Sequence, residues 1–172
     1  MVFLAGTTGS TIATEGNLIK LVDTELAAEA ASIDASGLDT YDAYLIVFNS
    51  IGKTAGLNPL YMRFNNDSAA NYNWNKSTQT ANAEAYTNDA AATEWYIGDS
   101  NQVAGNAIAW VTMPTTANSW LQGVSHSSFS NRNITCGLTY NNTTPITRFT
   151  VWTSAGNLDA GTRLIIFGVV DG

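Results

Sequence analysis

The sequence predicts an all-β protein, a jelly-roll-like β-sandwich of about eight to ten antiparallel strands. Three observations lead there. Short runs alternate apolar and polar side chains, as in Leu60-Tyr61-Met62-Arg63-Phe64, the period of a strand with one face buried. Clusters of Asn, Asp, Ser and Gly lie between the runs, and their short side chains or free φ favour turns. The last apolar run, Gly161 to Val170, needs neighbours over both faces and so belongs in the centre of a sheet. With 172 residues, 45% of them apolar, the chain can bury one sizeable core. We therefore expect an N-terminal arm over residues 1–16 and a single β-sandwich domain over 17–172.

Taken in order, residues 1–16 are rich in Gly, Thr and Ser, and only Val2, Phe3 and Leu4 can bury apolar surface. This reads as a flexible or partner-docked arm, with those three residues as candidate partner contacts. Leu18 to Glu25 alternates briefly. From Ala27 to Ile33 the helix propensity of alanine opposes a β context, and a strand is expected. Tyr41 to Asn49 is the clearest strand, with Tyr44, Ile46 and Phe48 on one side, Leu45 and Val47 on the other, and both sides expected to be buried. Pro59 suits a strand start. It opens Leu60 to Phe64, which ends in Asn65-Asn66-Asp67-Ser68, where Asx side chains bond the nearby backbone and tolerate left-handed conformations.

Residues 75–92 form a long polar stretch whose one large apolar side chain is Tyr86. It reads as an exposed or interface loop, with Tyr86 a further candidate partner contact. Strands are then expected at 93–97, 103–113 (ended by Pro114), 120–125, 133–140, 146–152 and 161–170.

Several of these pieces resemble a group of tailed-bacteriophage virion structural proteins. They are Tyr41-Asp42-Ala43-Tyr44, Arg63-Phe64-Asn65-Asn66-Asp67, Asn71-Tyr72, and Gly161-Thr162-Arg163 with Ile166-Phe167-Gly168. The match covers the frame of the chain and not its middle; members of the group tend to end in Leu-Tyr-Gly, where this chain has Phe167-Gly168 and continues to Gly172. The resemblance implies a β-rich, jelly-roll-like structural protein with no enzyme activity or cofactor to carry over.

Charge narrows the partners. Charged residues make up 12% of the chain, against roughly 25% in ordinary domains, so a neutral polar surface is expected, one that is cheap to desolvate at a contact. The net charge of −7 and seven scattered basic residues argue against a hold on nucleic-acid phosphates. No segment approaches the ~20 apolar residues of a membrane-spanning helix, and MVFLAGTTGS lacks the positive region and apolar length of a secretion signal. The expectation is synthesis in a host cytoplasm and a final place on the outer capsid surface.

Candidate chemistry is sparse. His126, the one histidine, lies among serines in Val124-Ser125-His126-Ser127-Ser128 and reads as a loop residue rather than a catalytic base. Cys136, the one cysteine, reads as a small core hydrophobe. Asp34, Asp39 and Asp42 cluster, as do Asn65, Asn66 and Asp67; calcium takes such oxygen ligands, but the EF-hand spacing is missing and turn formation is the preferred reading. Glu84, Asp89, Glu94 and Asp99 are the acids available to a glycosidase. The tryptophans 74, 95, 110, 120 and 152 could form a sugar-binding platform, with core packing the preferred reading for most of them; sugar binding that depended on Trp95 or Trp120 would favour a carbohydrate-binding module.

The function expected is therefore non-enzymatic: a capsid decoration (cement) protein that binds the major capsid protein and itself, as a trimer, through many modest contacts. The alternative is a tail, neck or fibre component that binds a receptor or carbohydrate.

Overall fold

The computed structural model describes residues 17–38, 41–50, 58–100, 105–113, 120–129 and 132–170. Among them run twelve strands: β1 (Asn17–Glu25), β2 (Ser32–Ser36), β3 (Ala43–Ser50), β4 (Asn58–Phe64), β5 (Tyr72–Thr80), β6 (Ala83–Ala92), β7 (Trp95–Ser100), β8 (Gly105–Thr112), β9 (Leu121–Phe129), β10 (Arg132–Tyr140), β11 (Arg148–Thr153) and β12 (Arg163–Val170).

Eight of these strands pair in nested fashion: β1 with β12, β2 with β11, β3 with β8, and β4 with β7, all antiparallel. Such nesting is a single long hairpin. Folded over, it gives the four-strand order β1-β12-β3-β8 facing β2-β11-β4-β7, which is the jelly roll. Two hairpins are inserted into this frame, β5–β6 between β4 and β7 and β9–β10 between β8 and β11. Both add to the edge at β8, so that an eight-stranded sheet, β1-β12-β3-β8-β9-β10-β5-β6, faces a four-stranded one.

The core lies between the sheets and follows from strand alternation. Leu60, Met62 and Phe64 are buried on β4 while Tyr61 and Arg63 are partly exposed. Phe64 is the hub, its ring 5.0 Å from Tyr140, 5.5 Å from Phe149 and 5.7 Å from Tyr72. Truncating such a residue to alanine costs about 3 to 5 kcal/mol. On β9 the inward positions are the buried Ser125 and Ser127, because β7 passes close: a Cβ on Gly98 would collide with the Ser127 side chain. Cys136 is fully buried on β10, and burial pushes its thiol up to about 12.

Five expectations are corrected. Residues 75–92 are not a loop but most of the β5–β6 hairpin, which raises the strand count above the eight to ten expected. Between Ala27 and Ile33 only Ser32 and Ile33 belong to a strand; Ala30 makes an isolated bridge to Leu158. β3 buries Tyr44, Ile46 and Phe48, whereas Leu45 and Val47 face out and are only half-buried. β12 likewise buries one face, and it lies beside the edge strand β1 rather than at the centre. His126 is on a strand, β9, and not in a loop.

Candidate functional site

The outer face of the eight-stranded sheet is the surface with functional character. The four-stranded sheet packs on its other side, and none of the described strands lies over it. Residues paired across neighbouring strands point to the same face, so the ladder registers define its rows. One row runs Val47, Ile108, His126, Thr135, Ser77, Tyr86 across β3, β8, β9, β10, β5 and β6. The adjacent row runs Phe167, Leu45, Trp110, Val124, Gly137, Asn75, ending at Asn88 on β6.

The face changes character from one side to the other. Over β12 and β3 it is an apolar field formed by Ile165, Phe167, Leu45 and Val47, each half-buried. On β8 apolar and polar residues mix, with Ile108 50% and Trp110 36% exposed. From β9 to β6 amides and hydroxyls predominate, beside Val124, which is 36% exposed, His126 and Tyr86. Three shallow depressions lie on this side: about 330 Å³ beside His126 and Thr135, about 260 Å³ beside Tyr86, and about 230 Å³ beside Trp110 and Gln122. The first two share Thr135.

Tyr86, the polar stretch's aromatic, stands 75% exposed on β6. Its hydroxyl and that of Ser77 both donate to Glu84, and these bonds hold the Glu84 carboxyl below its ordinary range. Val2, Phe3 and Leu4, the other expected partner contacts, lie outside the described residues.

The remaining candidates are dispersed. The His126 Nδ1 is 3.0 Å from the Thr135 hydroxyl on the outer face, while the flanking Ser125 and Ser127 point into the sandwich. Alternation along the strand therefore separates the imidazole from the serines beside it in sequence. Glu94 is paired with Arg63 at 2.8 Å. Asp99 is buried, accepting from the Tyr96 hydroxyl at 2.6 Å with Arg132 at 3.4 Å.

Asp34 is bound by Arg148 and Thr150, and Asp39 lies outside the described residues. Asp67 accepts from Tyr140 (2.7 Å), Asn71 (2.8 Å), the Ala69 N–H (2.9 Å) and Asn142 (3.1 Å). Three of these donors share Oδ2, and the Ala69 N–H, two residues on, bonds Oδ1 in the turn-forming role preferred from the sequence. Among the described residues no three His, Cys, Asp or Glu are grouped to hold a metal ion.

Of the five tryptophans offered as a sugar platform, Trp95 is fully buried against the core, whereas Trp120 is exposed just before β9 and Trp110 is exposed on β8. Sequence did not separate Trp110 from the others because alternation alone does not say which face of β8 is covered. No known protein family, curated protein or solved structure matches the chain.

Proposed function

We propose that this chain is a structural protein of a tailed-phage virion, a capsid decoration protein that acts by contact and not by chemistry. The observation that carries the reading is the apolar field of half-buried Ile165, Phe167, Leu45 and Val47 on a sheet face over which none of the described strands lies. Neighbouring apolar side chains that keep part of their surface in solvent suit an interaction site, and a chain with only 12% charged residues has little to desolvate around it. The jelly-roll frame and the resemblance of Arg63-Phe64-Asn65-Asn66-Asp67 and Gly161-Thr162-Arg163 to phage virion proteins support the same reading. The net charge of −7 disfavours a place against packaged DNA and suits the outside of the shell.

The partners in this account are the major capsid protein and further copies of this chain, arranged as a trimer on a local three-fold of the capsid. Its mechanism is binding energy alone. Several modest contacts per copy, repeated over the shell, act together and stabilise the assembled state by mass action.

The direct test is to add the purified protein to capsid shells assembled without it. Wild type is expected to bind and to raise the temperature at which shells disrupt. Ile165→Glu and Phe167→Glu are each expected to weaken binding about tenfold or more, as loss of an interface anchor does, while keeping the isolated protein folded by circular dichroism. Failure of wild type to bind, or binding by folded variants as tight as wild type, would contradict the proposal.

A further inference from the structure

We infer that the polar half of the outer face, from β8 across to β6, is a binding trough for neutral oligosaccharides. This inference does not rest on the virion reading, which uses the opposite, apolar half of the same sheet.

Three features point to that ligand class. First, the three depressions lie on the same sheet face: two share Thr135, and the third is lined by Trp110 and Val124, two positions along β8 and β9 from Ile108 and His126 of the first. Ladder spacing puts Trp110 on β8 and Tyr86 on β6 four strand intervals apart, about 19 Å across the strands, an extended span that suits a chain of rings and not a single small molecule.

Second, the two ends of this span carry the exposed aromatic side chains, Trp110 and Tyr86. Flat apolar rings pack against the C–H face of a sugar and leave its hydroxyls free at the edge. Between them the floor supplies Gln122, Asn75 and Asn88 amides and the Thr112, Thr135 and Ser77 hydroxyls. The amides both donate and accept, as a polyhydroxylated ligand demands, while the Ser77 and Thr112 hydroxyls, which donate to Glu84 and to the Gln122 carbonyl, keep acceptor sites for it. Gly137 leaves the middle of the row flat: a Cβ there would press against the Asn75 side chain at 3.0 Å.

Third, the trough is poor in charge. The single lysine among the lining residues, Lys76, turns its ammonium onto the Tyr96 ring, 3.9 Å from the centroid. Glu84 stands beside Tyr86. A sulfated, sialylated or phosphate-bearing ligand would meet that carboxylate and, apart from His126, no basic lining side chain facing it, whereas a neutral glycan escapes the repulsion.

The full chain, applied to an array of neutral and anionic oligosaccharides, is expected to retain at least one neutral structure and no anionic one. Titration calorimetry with that neutral oligosaccharide then compares variants. Trp110→Ala and Tyr86→Ala are each expected to weaken binding about fivefold or more, the loss expected of a truncated contact residue. Gln122→Ala, which removes only an exposed amide and spares the fold, is expected to weaken it as well. Trp120→Ala, an exposed tryptophan outside the depressions, is expected to bind like wild type. An array with no neutral binder, a preference for anionic glycans, or affinity unchanged in folded Trp110→Ala, Tyr86→Ala and Gln122→Ala would overturn the inference; so would retention of proteins or peptides alone.

Discussion

At the scale of the residue, the stretch from Leu60 to Tyr72 joins the two sheets. Asn65 and Asn66 both take left-handed backbone, with φ of 53° and 56°, which asparagine tolerates better than most residues. The Asn65 side chain bridges to the start of β11, donating to the Pro145 carbonyl at 2.8 Å and accepting from the Thr147 N–H at 2.8 Å. Asp67 gathers four donors from separate segments. Burial alone would raise its pKa, but the bonds from Tyr140, Asn71, the Ala69 N–H and Asn142 outweigh that and hold it at about 2.

Since the folded value lies below the unfolded one, the contribution of Asp67 is present above about pH 4 and is lost as pH falls towards 2. Asp67→Asn is accordingly expected to cost about 1 to 2 kcal/mol near neutral pH. The gap to wild type should close between pH 5 and 2 in urea unfolding curves; a gap independent of pH would show that the carboxylate charge contributes nothing. The alternation of this stretch and its turn residues were legible in the sequence. That Tyr140, from another hairpin, supplies a donor was not, because no local pattern encodes a contact over 73 positions.

At the scale of the element, the β5–β6 hairpin shows where sequence reasoning fails. A strand is recognised by alternation of apolar with polar residues, which arises when one face is buried. β6 lies at the edge of the larger sheet, beyond the reach of the four-stranded sheet, and every residue from Ala83 to Ala91 is exposed. With no core under it, its sequence has no periodicity to read, and the turn at Ala81-Asn82 lacks the Asn-Gly signal of the tightest hairpins.

The ladder itself carries a bulge: Tyr72 pairs with Ala92 but Trp74 with Asp89. With one extra residue on β6, Ala91 sits at φ 64°, a conformation that a Cβ makes costly by about 1 kcal/mol. Ala91→Gly is expected to raise the melting temperature by about 2 to 4 °C. No change or a decrease would mean that the left-handed geometry at the bulge is not strained.

At the scale of the whole molecule, the fold class was legible and the strand order was not. Short alternating runs with turn signals between them suffice to indicate a sandwich, and the buried sets on β4, β10 and β11 are those that alternation gives. The nested pairing is different in kind. β1 meets β12 and β2 meets β11 across nearly the full chain, and such long-range ladders are specified by mutual fit of faces, not by any local run. The same holds for the functional surface: the rows that join Phe167 to Asn88 and Val47 to Tyr86 exist only once seven and six strands, respectively, are in register.

Those rows leave a broad face, apolar at one side and polar at the other, on a molecule of low charge density, and the account assigns its apolar half to an assembly. The most direct check is the number of copies per particle. Phage particles would be purified and the amount of this protein in them measured against the major capsid protein by calibrated peptide mass spectrometry. The account predicts hundreds of copies, near parity with the capsid protein; a few copies or a few tens, which would place the chain in the tail or neck, or none at all, would contradict it.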